Sequence, residues 1–149
     1  MRVAFTCNGE PFEADAPVDA SLLEVLRAGG LTGTKTGCEV GVCGLCTVLV
    51  DDLPVSSCLL LAPCVAGRDV WTVEGIARRE PALVRAFVEA EGMQCGICTP
   101  GQVVTALAAA NEGLAAGSEE LVAFLAGTLC RCTGYQTILE AVGTYLDRR

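Results

Sequence analysis

The chain has 149 residues, ten lysines plus arginines against eighteen aspartates plus glutamates, and no histidine. That length suits one domain core or two small ones, and a net charge of −8 argues against a nucleic-acid backbone or an anionic membrane as partner. Without histidine there is no Ser-His-Asp or Cys-His pair, no His-ligated zinc and no His proton shuttle, so the ten cysteines are where the chemistry lies.

Residues 2 to 7 alternate apolar and polar, Asn8-Gly9 is a strong hairpin turn, and Phe12 to Ala14 is expected to pair back antiparallel. A short helix follows: Ser21 stands before Leu22, Leu23, Val25 and Leu26, Glu24 completes a capping box, and Gly29-Gly30 closes the segment. From Gly29 to Cys46 glycines recur too often for a helix or strand, which suits backbone wrapped closely around a bound group. Thr47 to Val50, Asp51-Asp52 and Leu53 to Val55 predict a second hairpin, and Val70 to Val73 a further strand.

The second half is predicted helical. Pro81 to Glu91 carries Leu83, Val84, Phe87 and Val88 at helical spacing; Thr99-Pro100 starts a helix through Ala110. Ser118 caps a third around Leu121, Val122, Phe124 and Leu125, and Gln136 to Leu146 makes a fourth. The stretch between Val73 and Pro81 is the expected boundary, dividing the chain into 1–76 and 77–149. The fold class is therefore α+β, a small sheet with one helix followed by four helices.

Residues 1 to 9 show no apolar signal core and no small-residue cleavage site, and the longest uncharged stretch, 92–111, is broken by Gln94, Thr99, Pro100, Gly101 and Gln102. The expected setting is cytoplasmic, without a membrane. There disulfides rarely persist, so dense cysteines favour metal ligation.

Eight of the cysteines form two sets of four. The first is Cys38-x4-Cys43-x2-Cys46, followed after eleven residues by Cys58. This is the plant-type spacing for a 2Fe–2S cluster, in which one Gly-rich loop supplies three thiolates and a later segment the fourth. Gly37, Gly41 and Gly44 let backbone N–H groups approach the cluster sulfurs without a Cβ. A four-cysteine zinc site is the alternative, although zinc ribbons normally show two Cys-x2-Cys knuckles. The second set is Cys95-x2-Cys98, then thirty-one residues, then Cys130-x-Cys132. A thioredoxin-like pair would leave Cys130 and Cys132 idle and lacks its βαβ setting. Both pairs precede predicted helix starts, where free N–H groups and the positive dipole end favour an anionic cluster, so a second 2Fe–2S cluster is expected. Cys7 and Cys64 have no partners at ligand spacing and read as small apolar residues, as Trp71 and Leu59-Leu60-Leu61 read as core.

Three motifs make the chain recognisable: residues 34–48, TKTGCEVGVCGLCTV; residues 94–101, QCGICTPG; and residues 129–135, LCRCTGY. In this order they resemble the iron–sulfur subunit of the molybdenum hydroxylases, the xanthine dehydrogenase, aldehyde oxidoreductase and aerobic carbon monoxide dehydrogenase family. The resemblance covers essentially the whole chain. It implies a β-grasp ferredoxin domain holding one cluster through Cys38, Cys43, Cys46 and Cys58, and a four-helix domain holding the other through Cys95, Cys98, Cys130 and Cys132. It further implies that the helical domain faces the molybdopterin-type molybdenum cofactor of a large catalytic subunit and the ferredoxin domain faces an FAD subunit, within a dimer of heterotrimers. Gln94 would hydrogen-bond the pterin, and Cys132 would bridge cluster and pterin. Leu45 departs from a frequent alanine and Cys7 and Cys64 are extra, without disturbing a ligand. Because the chain ends just past its last predicted helix, and no Gly-x-Gly-x-x-Gly follows a strand, flavin and molybdenum are expected on other subunits. The alternatives are a free-standing two-cluster ferredoxin-like carrier and a zinc-stabilised interaction module.

Overall fold

A computed structural model describes all residues, Met1–Arg149. Its sheet has five strands: β1 (Arg2–Cys7), β2 (Glu10–Asp15), β3 (Thr47–Val50), β4 (Leu53–Ser56) and β5 (Asp69–Trp71), ordered β2-β1-β5-β3-β4. β1 and β5 run parallel; every other pairing is antiparallel. Both hairpins turn where the sequence places them, with Asn8, Gly9, Asp51 and Asp52 all at positive φ, the backbone that a tight two-residue turn requires. Strict alternation in β1 sends Val3, Phe5 and Cys7 inward, against Leu22, Val25 and Leu26 of helix α1 (Leu22–Ala28). Ser21 caps α1 with the expected reciprocal box: its Oγ accepts from the Glu24 N–H, and Glu24 accepts from the Ser21 N–H. One helix across a mixed five-stranded sheet is the β-grasp arrangement.

Five helices follow: α2 (Val73–Arg79), α3 (Pro81–Glu89), α4 (Thr99–Asn111), α5 (Glu119–Leu125) and α6 (Gln136–Arg148). α3 to α6 are the four predicted from periodicity, and α5 is capped by Ser118, whose Oγ accepts from Leu121 N–H at 3.1 Å. α2 corrects one expectation: Val73 is not the end of a strand but the start of this helix, which occupies the expected boundary stretch and has Ile76 fully buried in the helical core. Asn8 holds the α2 start: its Oδ1 accepts from the Thr72 N–H at 2.8 Å and its Nδ2 donates to the Thr72 hydroxyl at 2.9 Å. Glu74 in turn accepts from the Gly33 N–H at 2.8 Å, so the hairpin turn, the Gly-rich loop and α2 share one network.

The halves are packed through the sheet. Val48 and Val50 of β3 face α1, whereas Leu49 between them joins the helical core with Phe87, Leu107 and Leu125. β3 is thus buried on both faces, which explains its unbroken apolar run. The positions that matter for function sit at the far edge of this packing: the loop 29–46, the segment 92–98 before α4, and the segment 126–135 before α6.

Candidate metal centres

The first centre is built on irregular backbone. Between Gly29 and Cys46 the chain forms turns and bends only, and Glu39, Gly41 and Gly44 adopt positive φ values of 55°, 78° and 69°. This path turns N–H groups inward: those of Val42 and Val40 reach the Cys38 Sγ at 3.3 and 3.5 Å. They lower the Cys38 pKa to about 6, Val40 and Val42 being the largest causes and the neighbouring Cys43 contributing further. Cys58, arriving after β4, is pushed up to about 11 by burial first and then by its contact with Cys46, while the Gly41 N–H acts in the opposite direction. Gly37 makes room: a Cβ there would lie 2.9 Å from the Cys43 Sγ.

The second centre lies between two helix starts. Cys98 is the N-cap residue of α4 and is buried, at 4% exposure, whereas Cys95 and Cys132 are exposed and 3.5 Å apart, sulfur to sulfur. The Ile97 N–H, and then Cys132, lower the Cys95 pKa. Burial, then contact with Cys130, pushes Cys98 up to about 12. Burial raises Cys130 in isolation, but the Thr133 hydroxyl, 3.2 Å from its sulfur, and the Thr133 N–H bring its pKa down. The loop that carries Cys130 and Cys132 is held by Tyr135, whose hydroxyl accepts from the Cys130 N–H at 2.9 Å and whose own φ is +67°. A left-handed tyrosine costs on the order of 1–3 kcal/mol and persists where surrounding structure fixes it.

All eight predicted cysteines are therefore brought into two groups, and within each group they come in pairs. Cys38 contacts Cys43 and Cys46 contacts Cys58; Cys95 contacts Cys132 and Cys98 contacts Cys130. No three such side chains close around a single-ion position. Two pairs per group suit a binuclear centre, in which each of two irons takes two thiolates, and the inward N–H groups supply the hydrogen bonds that anionic sulfur requires. Cys7 is buried on β1, with its thiol raised to about 12 chiefly by burial, and Cys64 is exposed on a 3₁₀ turn, Ala62–Val65; neither joins a group. Gln94 precedes Cys95 and is exposed. Thr133 and Tyr135, which lie in the 129–135 motif and are not ligand candidates, brace that loop.

The two centres are joined. Gly44 and Gly101 pack so closely that a Cβ on Gly44 would lie 2.2 Å from the Gly127 carbonyl oxygen, and one on Gly101 would lie 2.7 Å from the Gly44 carbonyl oxygen. Beside them the Leu129 N–H donates to the Cys43 carbonyl at 2.8 Å. One candidate ligand of the first centre is thus hydrogen-bonded to the residue that precedes a candidate ligand of the second.

A β-grasp unit and a helical unit, each presenting four cysteines, define a two-cluster iron–sulfur protein. Residues 5–69 match the family of 2Fe–2S iron–sulfur cluster binding domains, and residues 72–143 match a second 2Fe–2S binding domain family. The chain is 43% identical over 146 residues to the xanthine dehydrogenase iron-sulfur-binding subunit of Escherichia coli O157:H7, covering 95% of this chain and 92% of that one. It is 42% identical to the caffeine dehydrogenase subunit gamma of Pseudomonas sp. (strain CBB1), covering 94% and 87%. Among solved structures it superposes on quinoline 2-oxidoreductase from Pseudomonas putida 86 with a TM-score of 0.90 at 42% identity, covering 99% of this chain and 96% of that one. Aldehyde oxidoreductase from Desulfovibrio desulfuricans ATCC 27774 gives 0.91 at 33% identity, with this chain covering 17% of that longer one. The chain belongs to the small iron–sulfur subunits of the xanthine dehydrogenase and aldehyde oxidoreductase family, the non-catalytic electron-relay components of molybdenum-containing oxidoreductases.

Proposed function

We infer that this chain passes single electrons from the molybdopterin site of a large subunit to an FAD subunit during oxidative hydroxylation, RH + H2O → ROH + 2H⁺ + 2e⁻, in the cytoplasm. The observation that carries the reading is the juncture itself: two four-cysteine centres whose loops touch through Cys43 and Leu129. Cys38, Cys43, Cys46 and Cys58 would hold one 2Fe–2S cluster, and Cys95, Cys98, Cys130 and Cys132 the other; when bound, each cluster takes up and releases one electron at a time.

The chain's own part is to hold the thiolates, exclude water and offer faces. Val40, Val42 and Leu59 surround the first centre at 65%, 66% and 61% exposure, Leu59 being exposed and not in the core as its sequence suggested, and Ile97 and Leu129 border the second at 50% and 53%. Apolar side chains gathered around otherwise polar loops mark docking faces, and the family resemblance assigns the first to the FAD subunit and the second to the large subunit. In this reading Gln94, exposed beside Cys95, would hydrogen-bond the pterin, and exposed Cys132 would bridge cluster and pterin. The working assembly is a dimer of heterotrimers, with units 1–76 and 77–149 serving the two partners; α2, which spans their division, packs with the second.

The test is anaerobic purification with assays for iron, acid-labile sulfide and zinc, and EPR after dithionite reduction. About four irons and four sulfides per chain with two distinguishable half-spin signals support the reading. Zinc in place of iron, or a single signal, removes the relay at its middle link. Co-purification with both partners separates a bound subunit from a free-standing carrier.

A further inference from the structure

Where the two halves meet, a buried polar knot interrupts an apolar helix. α4 buries Val103, Val104, Ala106, Leu107, Ala108 and Ala109, yet its residue 102 is a glutamine at 0% exposure. The Gln102 Nε2 donates to the Thr128 carbonyl at 2.6 Å. The Thr105 hydroxyl donates to the Gly101 carbonyl at 2.8 Å, so at the 3.0 Å contact between the two hydroxyls Thr128 is the donor and Thr105 the acceptor. The Gln102 Oε1 is buried without a partner. An amide left half unsatisfied in a core is a poor choice for packing alone, so its place here is owed to the Thr128 carbonyl, which would lose this donor if a methionine or leucine stood at 102. Buried polar groups that break the local pattern are where a functional constraint is to be sought.

The knot's position supplies the constraint. Gly101 lies three residues after Cys98, and Thr128 two residues before Cys130, so the knot ties together the two backbones that carry that pair. The same segment, Gly127 to Leu129, is what touches the first centre: the Gly127 carbonyl and the Thr128 Cα close on Gly44, and the Leu129 N–H reaches the Cys43 carbonyl. Whatever fixes Thr128 therefore fixes the separation of the two loops.

We propose that Gln102, with Thr105 and Thr128, is a positioning set that holds the Cys130 segment against the Cys43 loop and thereby sets the electronic coupling between the two clusters; the proposal rests on the relay reading above. The hydrogen bonds of the three side chains go to one another and to backbone, none to a candidate ligand sulfur. They act through backbone: Gln102 grips the Thr128 carbonyl, the next residue's N–H closes the Cys43 hydrogen bond, and electron exchange depends steeply on that gap and on the continuity of the hydrogen-bonded route.

The experiment uses the full chain loaded with iron and sulfide. Gln102→Met, Thr105→Val and Thr128→Val keep side-chain volume and remove the hydrogen bonds, and Thr128→Ser retains the hydroxyl. Iron and sulfide are counted, and the fully reduced proteins are examined by EPR for the splitting that two half-spin centres impose on each other. The expected result is full iron content in all four, with the splitting lost or broadened in Gln102→Met and Thr128→Val and restored to the parent pattern in Thr128→Ser. Parent-like splitting in fully loaded Gln102→Met and Thr128→Val overturns the proposal. Loss of a cluster from all three apolar variants also overturns it, because the knot would then serve cluster assembly and not spacing. Absence of two clusters from the parent chain would instead defeat the relay reading, so the two failures are distinguishable.

Discussion

The contact between the two units rests on glycine, and Gly44→Ala measures it. Gly44 has a φ of +69°, and the new Cβ would stand 2.2 Å from the Gly127 carbonyl oxygen and 2.7 Å from the Thr128 Cα, both backbone atoms that cannot rotate away. Ordinary carbon contacts lie at ~3.5 Å, so the segment must retreat by roughly 1 Å. The left-handed conformation costs an alanine about 1–2 kcal/mol, and forced overpacking about 1–3 kcal/mol more. The sum, about 2–5 kcal/mol, lowers the thermal midpoint by about 4–20 °C, at ~2–4 °C per kcal/mol for a chain of this size. Gly30→Ala is the control: its φ is +88°, but nothing lies within 4 Å of a Cβ there, so only the conformational part remains. Thermal melts of the iron-loaded proteins, with iron content checked before heating, compare the two. A Gly44→Ala midpoint equal to or above that of Gly30→Ala would refute the argument that the units are in backbone contact at this point.

Single cysteine replacements should divide the protein by unit: Cys43→Ser and Cys98→Ser each leave about two of four irons and one EPR signal, a different one in each case; full iron content in either variant removes that residue from its ligand set. With the clusters bound, a thiol reagent should modify exposed Cys64 rapidly and leave Cys7 untouched at neutral pH, because burial pushes that thiol up to about 12; mass spectrometry of the labelled chain reads this, and fast labelling of Cys7 would contradict its burial. Gln94→Ala should change the stability of the isolated chain by less than about 0.5 kcal/mol, as an exposed side chain should, while lowering turnover of the assembled enzyme; unchanged turnover would end its assignment to the pterin. Val42→Asp and Ile97→Asp should keep full iron content but fail to co-purify with different partners, and loss of the same partner from both would erase the two-face assignment.

The candidate centres were more legible than the helix that adjoins them, for a physical reason. Thiolates must reach a cluster from short segments, so ligand spacing survives in the sequence as Cys38-x4-Cys43-x2-Cys46 and as two close pairs in the second half. Hairpins and capped helices are likewise local, which is why Asn8-Gly9, Asp51-Asp52, Ser21 and Ser118 stand where expected. α2 is different. It has seven residues, a Thr72 cap whose hydroxyl donates to the Glu74 side chain and accepts no backbone N–H of the first turn, and a glycine in its body, so local propensity favours extending the Val70-Trp71 strand instead. Its stability is tertiary: a Cβ at Gly75 would lie 2.1 Å from the Asn8 Oδ1, the atom that accepts from the Thr72 N–H, and Ile76 is fully buried. Gln102 is hidden for the same reason, since in sequence it is one polar residue at the start of a helix, and only the fold brings it to the Thr128 carbonyl. Residues that bind a cluster are constrained by chemistry at short range, whereas residues that set the distance between two clusters are constrained by contacts between segments far apart in the chain. A relay needs both, and the second kind becomes visible only when the loops of Cys43 and Cys130 are seen together.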